Sequence, residues 1–434
     1  MAGIQSYVLV IFLLLHFTRL DGSNLILERD IKIDRILHQV FGFTSLRGHQ
    51  KRVISEVLDG KDAFAVMPTG AGKSLCYQLP AVYAESKVTL VVTPLLALML
   101  GQVKSLQSKG VLASAIYSSQ SKRDRERVIN DLLGKPSPDS EPLTFPPMMR
   151  LLYVTPELLC TSNFQQDLSI LYDGGYINLI AIDEAHCVSE WGHEFRPCFR
   201  KLGSIHQRFP SVPWLALTAT ATEQVRRDVV NILKIKVDKI FMQSFDRPNI
   251  RYQVRYKDLI GEDEQVFEDI ASFVGESLNS LPRGEPVAAG LQYACSGIIY
   301  CHTKASCDAL AQQLSAIGVK AKAYHAGLRP RERMQVQDEW MEGVTKVVCA
   351  TIAFGMGIDK KDVRFVIHQS MPKSLEAYYQ ETGRAGRDGG ESEALMYFSE
   401  DDANLHRFLL RKSVENQEVQ PERVKVTGPA LLSR

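Results

Sequence analysis

Short apolar runs rich in β-branched residues recur along the first half of the chain: DAFAVMP (62–68), TLVVTP (89–94), RLLYVTP (150–156), NLIAIDE (178–184) and WLALTAT (214–220). Stretches of helical periodicity separate them. A strand that alternates polar and apolar residues has one wet face, whereas a continuous apolar strand is buried on both. The pattern therefore predicts a parallel sheet covered by helices on both sides. It restarts with SGIIYCHT (296–303), AKAYHA (321–326), TKVVCAT (345–351), RFVIHQ (364–369) and EALMYF (393–398). Two consecutive α/β units follow, with a changeover near 235–247.

Two stretches interrupt this rhythm. GKPSPDSEPLTFPPMM (134–149) is proline-rich and reads as a surface loop, and NSLPRGEPVAAGLQYAC (279–295) reads as a second insertion. After about residue 412 no periodicity is sustained, and the end of the chain is expected to be poorly ordered. The expected organisation is an N-terminal hydrophobic extension (1–24), a first domain (25–240), a second domain (241–411) and a disordered tail (412–434). A chain of 434 residues is too long for one ordinary core, in keeping with this division.

Composition changes little. Hydrophobic content of 45% and charged content of 23% are those of a soluble globular protein, not a fibrous or disordered one. With 51 basic against 50 acidic residues the formal charge is +1, so any nucleic acid must be met by a local groove and not by a global field. The eight cysteines form no CxxC pair, which favours reduced thiols over a disulfide framework. Cys295, Cys301 and Cys307 lie close in sequence, but no structural zinc is expected. The run YVLVIFLLLHF (7–17) has the length of a signal-peptide core but lacks a basic flank and a small-residue cleavage site. A secretory signal is the alternative reading; an extension unrelated to the fold is preferred, and no membrane partner is expected.

The chemistry begins at MPTGAGKS (67–74), which ends one predicted strand and opens a helix. Glycines let backbone N–H groups converge on phosphate oxygens, and a helix N-terminus favours the anion. Met67, Pro68, Thr69, Gly70, Ala71, Gly72, Lys73 and Ser74 form the candidate phosphate loop. Lys73 is expected on the β- and γ-phosphates of ATP and Ser74 on Mg2+. Met67 stands where the general motif has its first glycine. The alternative is a glycine-rich turn without a nucleotide. In DEAHCVSEWGHEFRP (183–197), an apolar strand ends in two acids. Asp183 is expected to reach the magnesium ion, and Glu184 to orient or deprotonate the attacking water. A zincin reading of His193-Glu194 fails because Pro197 occupies the second histidine position; His186 and His193 as metal ligands are the remaining alternative. Cys187 reads as a small buried residue. In ALTATAT (216–222), Thr218 and Thr220 are candidates for linking the nucleotide site to a second site. YYQETGRAGRDG (378–389) carries Gln380, Arg384 and Arg387, with arginine spacing suited to fingers on a γ-phosphate; a solvated surface pair is the alternative.

Taken together, MPTGAGKSLCYQLPA, DEAHCVSEWGHEFRP, ALTATAT, YHAGL, ATIAFGMGIDK and YYQETGRAGRDG resemble the ordered motifs of superfamily 2 RecQ-type DNA helicases, over about residues 30–412 and most like the animal type-five branch. The resemblance implies two tandem RecA-like P-loop domains with ATP in the cleft between lobes, and 3′ to 5′ movement on single-stranded or partly duplex DNA. It further implies roles in repair, recombination and replication, with replication or repair proteins as partners, and a nuclear location. It places Phe43 stacked on adenine, with Arg47 and Gln50 hydrogen-bonded to the base. It makes Ser189–Pro197 an aromatic-rich DNA-sensing loop, in which Trp191 and Phe195 stack on bases, Arg196 adds charge and His193 lies alongside; local packing against the core is the alternative. Thr351 and Asp359 become candidates for coupling the strand to the ATP site.

There are departures. Gly101 stands where the family usually has an acid, and Glu190 replaces a glutamine, putting a negative charge near the expected DNA path. The family's four-cysteine zinc subdomain, winged helix and HRDC module have no counterpart in this sequence, as in a chain truncated after the second motor domain. ATPase activity is therefore a safer expectation than strand separation. The alternative function is a DNA-stimulated ATPase or DNA-binding module with little unwinding. A small-molecule P-loop kinase is disfavoured, since it needs no arginine pair from a second lobe.

Overall fold

The computed structural model describes residues 22–134, 147–190, 196–279, 295–352, 354 and 360–418. It divides into two compact α/β units, with the main division between Asp246 and Arg247.

In the first unit seven parallel strands form one sheet. They are β1 (Ala63–Val66), β2 (Val88–Val92), β3 (Ala113–Ile116), β4 (Leu151–Val154), β5 (Ile177–Ile182), β6 (Trp214–Thr218) and β7 (Ile240–Met242), in the spatial order β3-β4-β2-β5-β6-β1-β7. Parallel neighbours need crossovers, and helices such as Leu75–Tyr83, Ser162–Asp173 and Glu223–Leu233 supply them. Successive side chains of a strand face opposite sides. Phe64 and Val66 accordingly enter one apolar cluster with Leu90, Val92 and Ile180, while Ala63 and Ala65 enter the other with Tyr77, Val91 and Leu179. The two clusters are the two covered faces that the apolar runs predict. Hydroxyl caps start several helices: Thr222 accepts from the Val225 amide and Thr155 from that of Leu158.

The second unit holds six parallel strands: β8 (Ile250–Tyr256), β9 (Ser296–Tyr300), β10 (Ala321–Tyr324), β11 (Val347–Ala350), β12 (Val363–His368) and β13 (Ser392–Phe398), ordered β10-β11-β9-β12-β13-β8. On one face, helices Asp263–Asn279 and Lys304–Ala316 contribute Phe273, Val274, Cys307 and Leu310 to a core with Ile299, Phe365 and Leu395. Gly297 faces Phe365 across β9 and β12, and a Cβ there would lie 2.0 Å from the phenyl ring. Gly297→Ala is therefore expected to lower the stability of this unit by about 1–3 kcal/mol, since an overpacked core must displace a fully buried ring. A urea midpoint unchanged from wild type would contradict that packing.

Each of the ten apolar runs that predict the two sheets corresponds to a strand, and the fold is the expected pair of parallel-sheet α/β domains. Three strands, β3, β7 and β8, were not expected; each lies at a sheet edge. Because β7 pairs with β1, the first unit runs past the 240/241 boundary read from the sequence. The last helix, Glu400–Glu418, likewise continues beyond residue 412, where a disordered tail was expected to begin. All eight cysteines are free thiols. Among the described residues no helix is long and apolar enough to cross a membrane. The apolar run 7–17 lies outside them.

Candidate active site

Strands β5, β6 and β1 are adjacent, and the segments leaving their C-terminal ends carry the candidate residues of the first unit. In an open parallel sheet this is the edge at which ligands bind. From β1 the chain enters the phosphate loop, where Met67 is fully buried and its amide donates to the Thr218 carbonyl at 3.0 Å. Gly70 and Gly72 have φ of 82° and 77°, a region that a side chain would strain. Pro68 is buried, Thr69, Ala71, Lys73 and Ser74 are half-buried, and Gly70 and Gly72 are exposed. Ser74 precedes the helix Leu75–Tyr83. The Lys73 ammonium donates to the carbonyls of Met67 (3.2 Å) and Pro68 (3.5 Å), so it rests on the loop it is expected to serve.

Gln50, at the start of helix Gln50–Leu58, is 2% exposed, and both ends of its carboxamide are engaged. Its Oε1 accepts from the Arg47 amide at 2.8 Å, and its Nε2 donates to the Ala71 and Gly72 carbonyls at 3.1 and 3.0 Å. The residue expected to read adenine thus braces the phosphate loop. Phe43 is 40% exposed, an aromatic face open to solvent, and Arg47 is exposed as well.

Asp183 follows β5, with its amide bonded to the Val92 carbonyl and its Oδ1 accepting from the Glu184 amide at 3.1 Å. Burial, reinforced by the charge of Glu184, pushes its carboxyl up to about 7; Lys73 and the Glu184 amide act in the opposite direction. Glu184 sits at φ 53°, ψ 48°, a left-handed conformation that few non-glycine residues adopt. The next residues form a short 3-10 turn in which His186 is buried. Its Nδ1 lies 2.9 Å from Thr218 Oγ1 and 3.4 Å from Glu184 Oε2. The Thr218 hydroxyl donates to the Thr220 carbonyl at 3.0 Å, so the ring N–H is the donor to Thr218. Histidine and threonine motif are joined by a side-chain hydrogen bond, with the acid beside them in the same unit. The sequence marks His186 only as a candidate metal ligand; its contact with Thr218, 32 positions away, appears only in the fold. Cys187 is fully buried.

Trp191, His193 and Phe195 lie outside the described residues. Arg196 is half-buried, its amide bonded to the Cys187 carbonyl. Glu190 pairs with Arg200 at 3.0 Å, which offsets the negative charge flagged at that position. Gly101 lies within helix Leu96–Gln107.

In the second unit, helix Leu375–Thr382 ends in the arginine-bearing loop. Gln380 is half-buried, Arg384 is buried and Arg387 is half-buried. Arg247 clamps this loop by donating to the carbonyls of Ala385 (3.1 Å) and Gly386 (2.9 Å), and Asn249 donates to those of Gly386 (2.9 Å) and Gly390 (3.0 Å). Gly386, at φ 57°, is required there: a Cβ would fall 2.3 Å from Asn249 Nδ2. Neither clamp residue was singled out from the sequence, although the short polar run RPN would have been the signal. Thr351 is half-buried beyond β11, its amide 3.3 Å from the Tyr324 carbonyl; Asp359 lies outside the described residues.

Residues 47–228 match the DEAD/DEAH box helicase model, and residues 291–389 match the helicase conserved C-terminal domain. Over 390 residues the chain is 43% identical to ATP-dependent DNA helicase Q5 of Rattus norvegicus, covering 89% of this chain and 38% of that protein. It is 41% identical over 393 residues to ATP-dependent DNA helicase RecQ of Pasteurella multocida, covering 90% and 56%. It is 40% identical over 380 residues to ATP-dependent helicase SGS1 of Saccharomyces cerevisiae, covering 87% and 24%. The chain thus spans between 24% and 56% of the length of these three relatives. Among solved structures, the helicase MrfA bound to DNA is similar with a TM-score of 0.64 at 17% identity, covering 85% of this chain and 50% of that one. Mycobacterium smegmatis helicase Lhr, bound to ssDNA and AMP-PNP, gives 0.61 at 20%, covering 82% and 46%. At these identities the structural likeness speaks for the fold, and the sequence relatives speak for the family. This chain belongs to the RecQ family of superfamily 2 helicases.

Proposed function

We propose that this chain is an ATP-driven DNA motor that moves 3′ to 5′ on single strands and opens duplex ahead of it. The observation that carries the reading is the convergence at one sheet edge of Lys73 and Ser74, Asp183 and Glu184, and Thr218, joined through His186. The donors fit the implied groups. Positive-φ glycines and a lysine suit a triphosphate, and a hydroxyl with a carboxylate are the hard oxygen ligands that Mg2+ prefers. The metal supplies charge neutralisation on the phosphates when bound.

The residues of the chain do the rest. Lys73 exchanges its two carbonyl partners for phosphate oxygens. Glu184 orients the attacking water and accepts its proton, beside His186, whose ring is held by Thr218. Arg384 and Arg387 of the second unit stabilise charge on the γ-phosphate as it transfers. Phe43 stacks on adenine beside Arg47. Trp191, Phe195 and Arg196 bind the strand regardless of sequence, with His193 beside them. Thr220, Thr351, Gln380 and Asp359 relay between strand and nucleotide. Work on chromosomal DNA, in repair, recombination and replication, makes the nucleus its place.

The test is phosphate release measured with and without single-stranded DNA, beside unwinding of a partly duplex substrate. Stimulation by DNA is expected in the wild type. In Trp191→Ala the DNA concentration for half-maximal stimulation should rise roughly tenfold, from a stacking contribution of about 1–3 kcal/mol per base. An ATPase indifferent to DNA would overturn the reading. Strong stimulation without strand separation would restrict it to translocation.

A further inference from the structure

A buried cluster in the second unit stands behind the arginine loop. His368 ends β12 and Glu381 sits on the last turn of helix Leu375–Thr382; they are 1% and 8% exposed, with His368 Nε2 lying 2.7 Å from Glu381 Oε2. The imidazole is held between two phenols. Tyr300, its register partner on β9, stacks on it at 5.2 Å and 25°, and Tyr378 meets it edge-on at 5.0 Å. The Tyr300 hydroxyl donates to the Phe354 carbonyl at 3.0 Å and also meets the Arg384 guanidinium through a side-chain hydrogen bond. The Arg384 amide, in turn, lies 3.3 Å from the Glu381 carbonyl.

These contacts close a ring: Glu381 to His368, His368 to Tyr300, Tyr300 to Arg384, and Arg384 back to Glu381 along the main chain. One arc fixes the backbone from which Arg384 springs and the other fixes its guanidinium. Burial pushes the Tyr300 phenol up to about 12, with Arg384 the leading opposing charge, so the hydroxyl keeps its proton and its bond to Phe354. A paired carboxylate and imidazole are costly to bury, and an apolar pair of the same shape would pack as well. What the polar pair adds is a fixed direction at each end. We propose that Glu381 and His368 are positioning residues that, through Tyr300, aim Arg384 for the hydrolytic step. This rests on the reading of Arg384 given under the proposed function.

The test is a double-mutant cycle on the DNA-stimulated ATPase of the whole chain, with kcat and KM for ATP measured separately. Glu381→Ala is expected to lower kcat on the order of ten- to a hundredfold, the cost of a misplaced group, with KM changed by less than about threefold. Glu381→Gln, which keeps a hydrogen bond to His368, should restore kcat to within about threefold of wild type. Glu381→Ala combined with Arg384→Ala should be no slower than Arg384→Ala alone, because both remove one interaction. Losses that multiply, or a Gln variant as slow as Ala, would overturn the positioning role and leave the pair as packing. An Arg384→Ala variant with wild-type kcat would instead overturn the underlying reading of Arg384. Thermal melting of each variant identifies unfolded protein; if Glu381→Ala does not fold, the same cycle is run with Tyr300→Phe, which keeps the ring and removes only the hydroxyl. There too, multiplying losses sink the proposal.

Discussion

Lys73→Ala is expected to reduce ATP turnover on the order of a thousandfold or more while leaving the protein folded. The fold does not depend on this side chain. The loop is held by the bond from the Met67 amide to the Thr218 carbonyl and by the Gln50 carboxamide on the Ala71 and Gly72 carbonyls. Lys73 contributes two bonds to main-chain carbonyls, and at a half-buried position their loss is worth about 1 kcal/mol each. The chemical loss is far larger. No other cation of the phosphate loop replaces it, since Met67, Pro68, Thr69, Gly70, Ala71, Gly72 and Ser74 are all uncharged. Removing a single preorganised group that stabilises transition-state charge costs about 10²–10³ in rate, and here phosphate binding weakens as well. The measurements are phosphate release at saturating single-stranded DNA and thermal melting of both proteins. Turnover within tenfold of wild type would mean that the loop is not the catalytic phosphate site.

How much of this was visible beforehand depended on how strongly each residue is constrained by its own neighbours. The central strands were legible because β1, β2, β5 and β6 are buried on both faces and so read as nearly continuous apolar runs. Edge strands escape that signature. β8, IRYQVRY, leaves Arg251, Tyr252 and Val254 exposed, and β7 has only three residues. The phosphate loop was legible because its backbone demands glycine at specific places. Partners distant in sequence were not. Arg247 clamps Ala385 from 138 positions away, and nothing local to either residue announces it. The Gln50 carboxamide could be assigned to a base from the sequence, but only the folded chain shows that main-chain groups occupy it. Glu190 likewise looked like an uncompensated charge until Arg200 was seen beside it.

That distinction bears on the two arginines, which share a loop but not an environment. Arg387→Ala is expected to lower kcat on the order of 10³, with the KM for ATP changed little, because a guanidinium that meets the transferring phosphate acts chiefly in the transition state. Arg387 is the more accessible of the pair, whereas Arg384 is buried against Tyr300. Arg384→Ala should therefore give the smaller loss, ten- to a hundredfold. Arg387→Lys should recover only a small part of the activity, since a point charge on a flexible stem cannot reproduce a planar fork. Folding is not at issue, because Arg247 and Asn249 hold the loop through its carbonyls and not through either arginine side chain. The check is kcat and KM from phosphate release at saturating single-stranded DNA, with binding of a fluorescent ATP analogue measured alongside. If Arg387→Ala weakened nucleotide binding and kcat in equal proportion, the residue would belong to ground-state binding, and the charge-stabilising role proposed for this loop would fail.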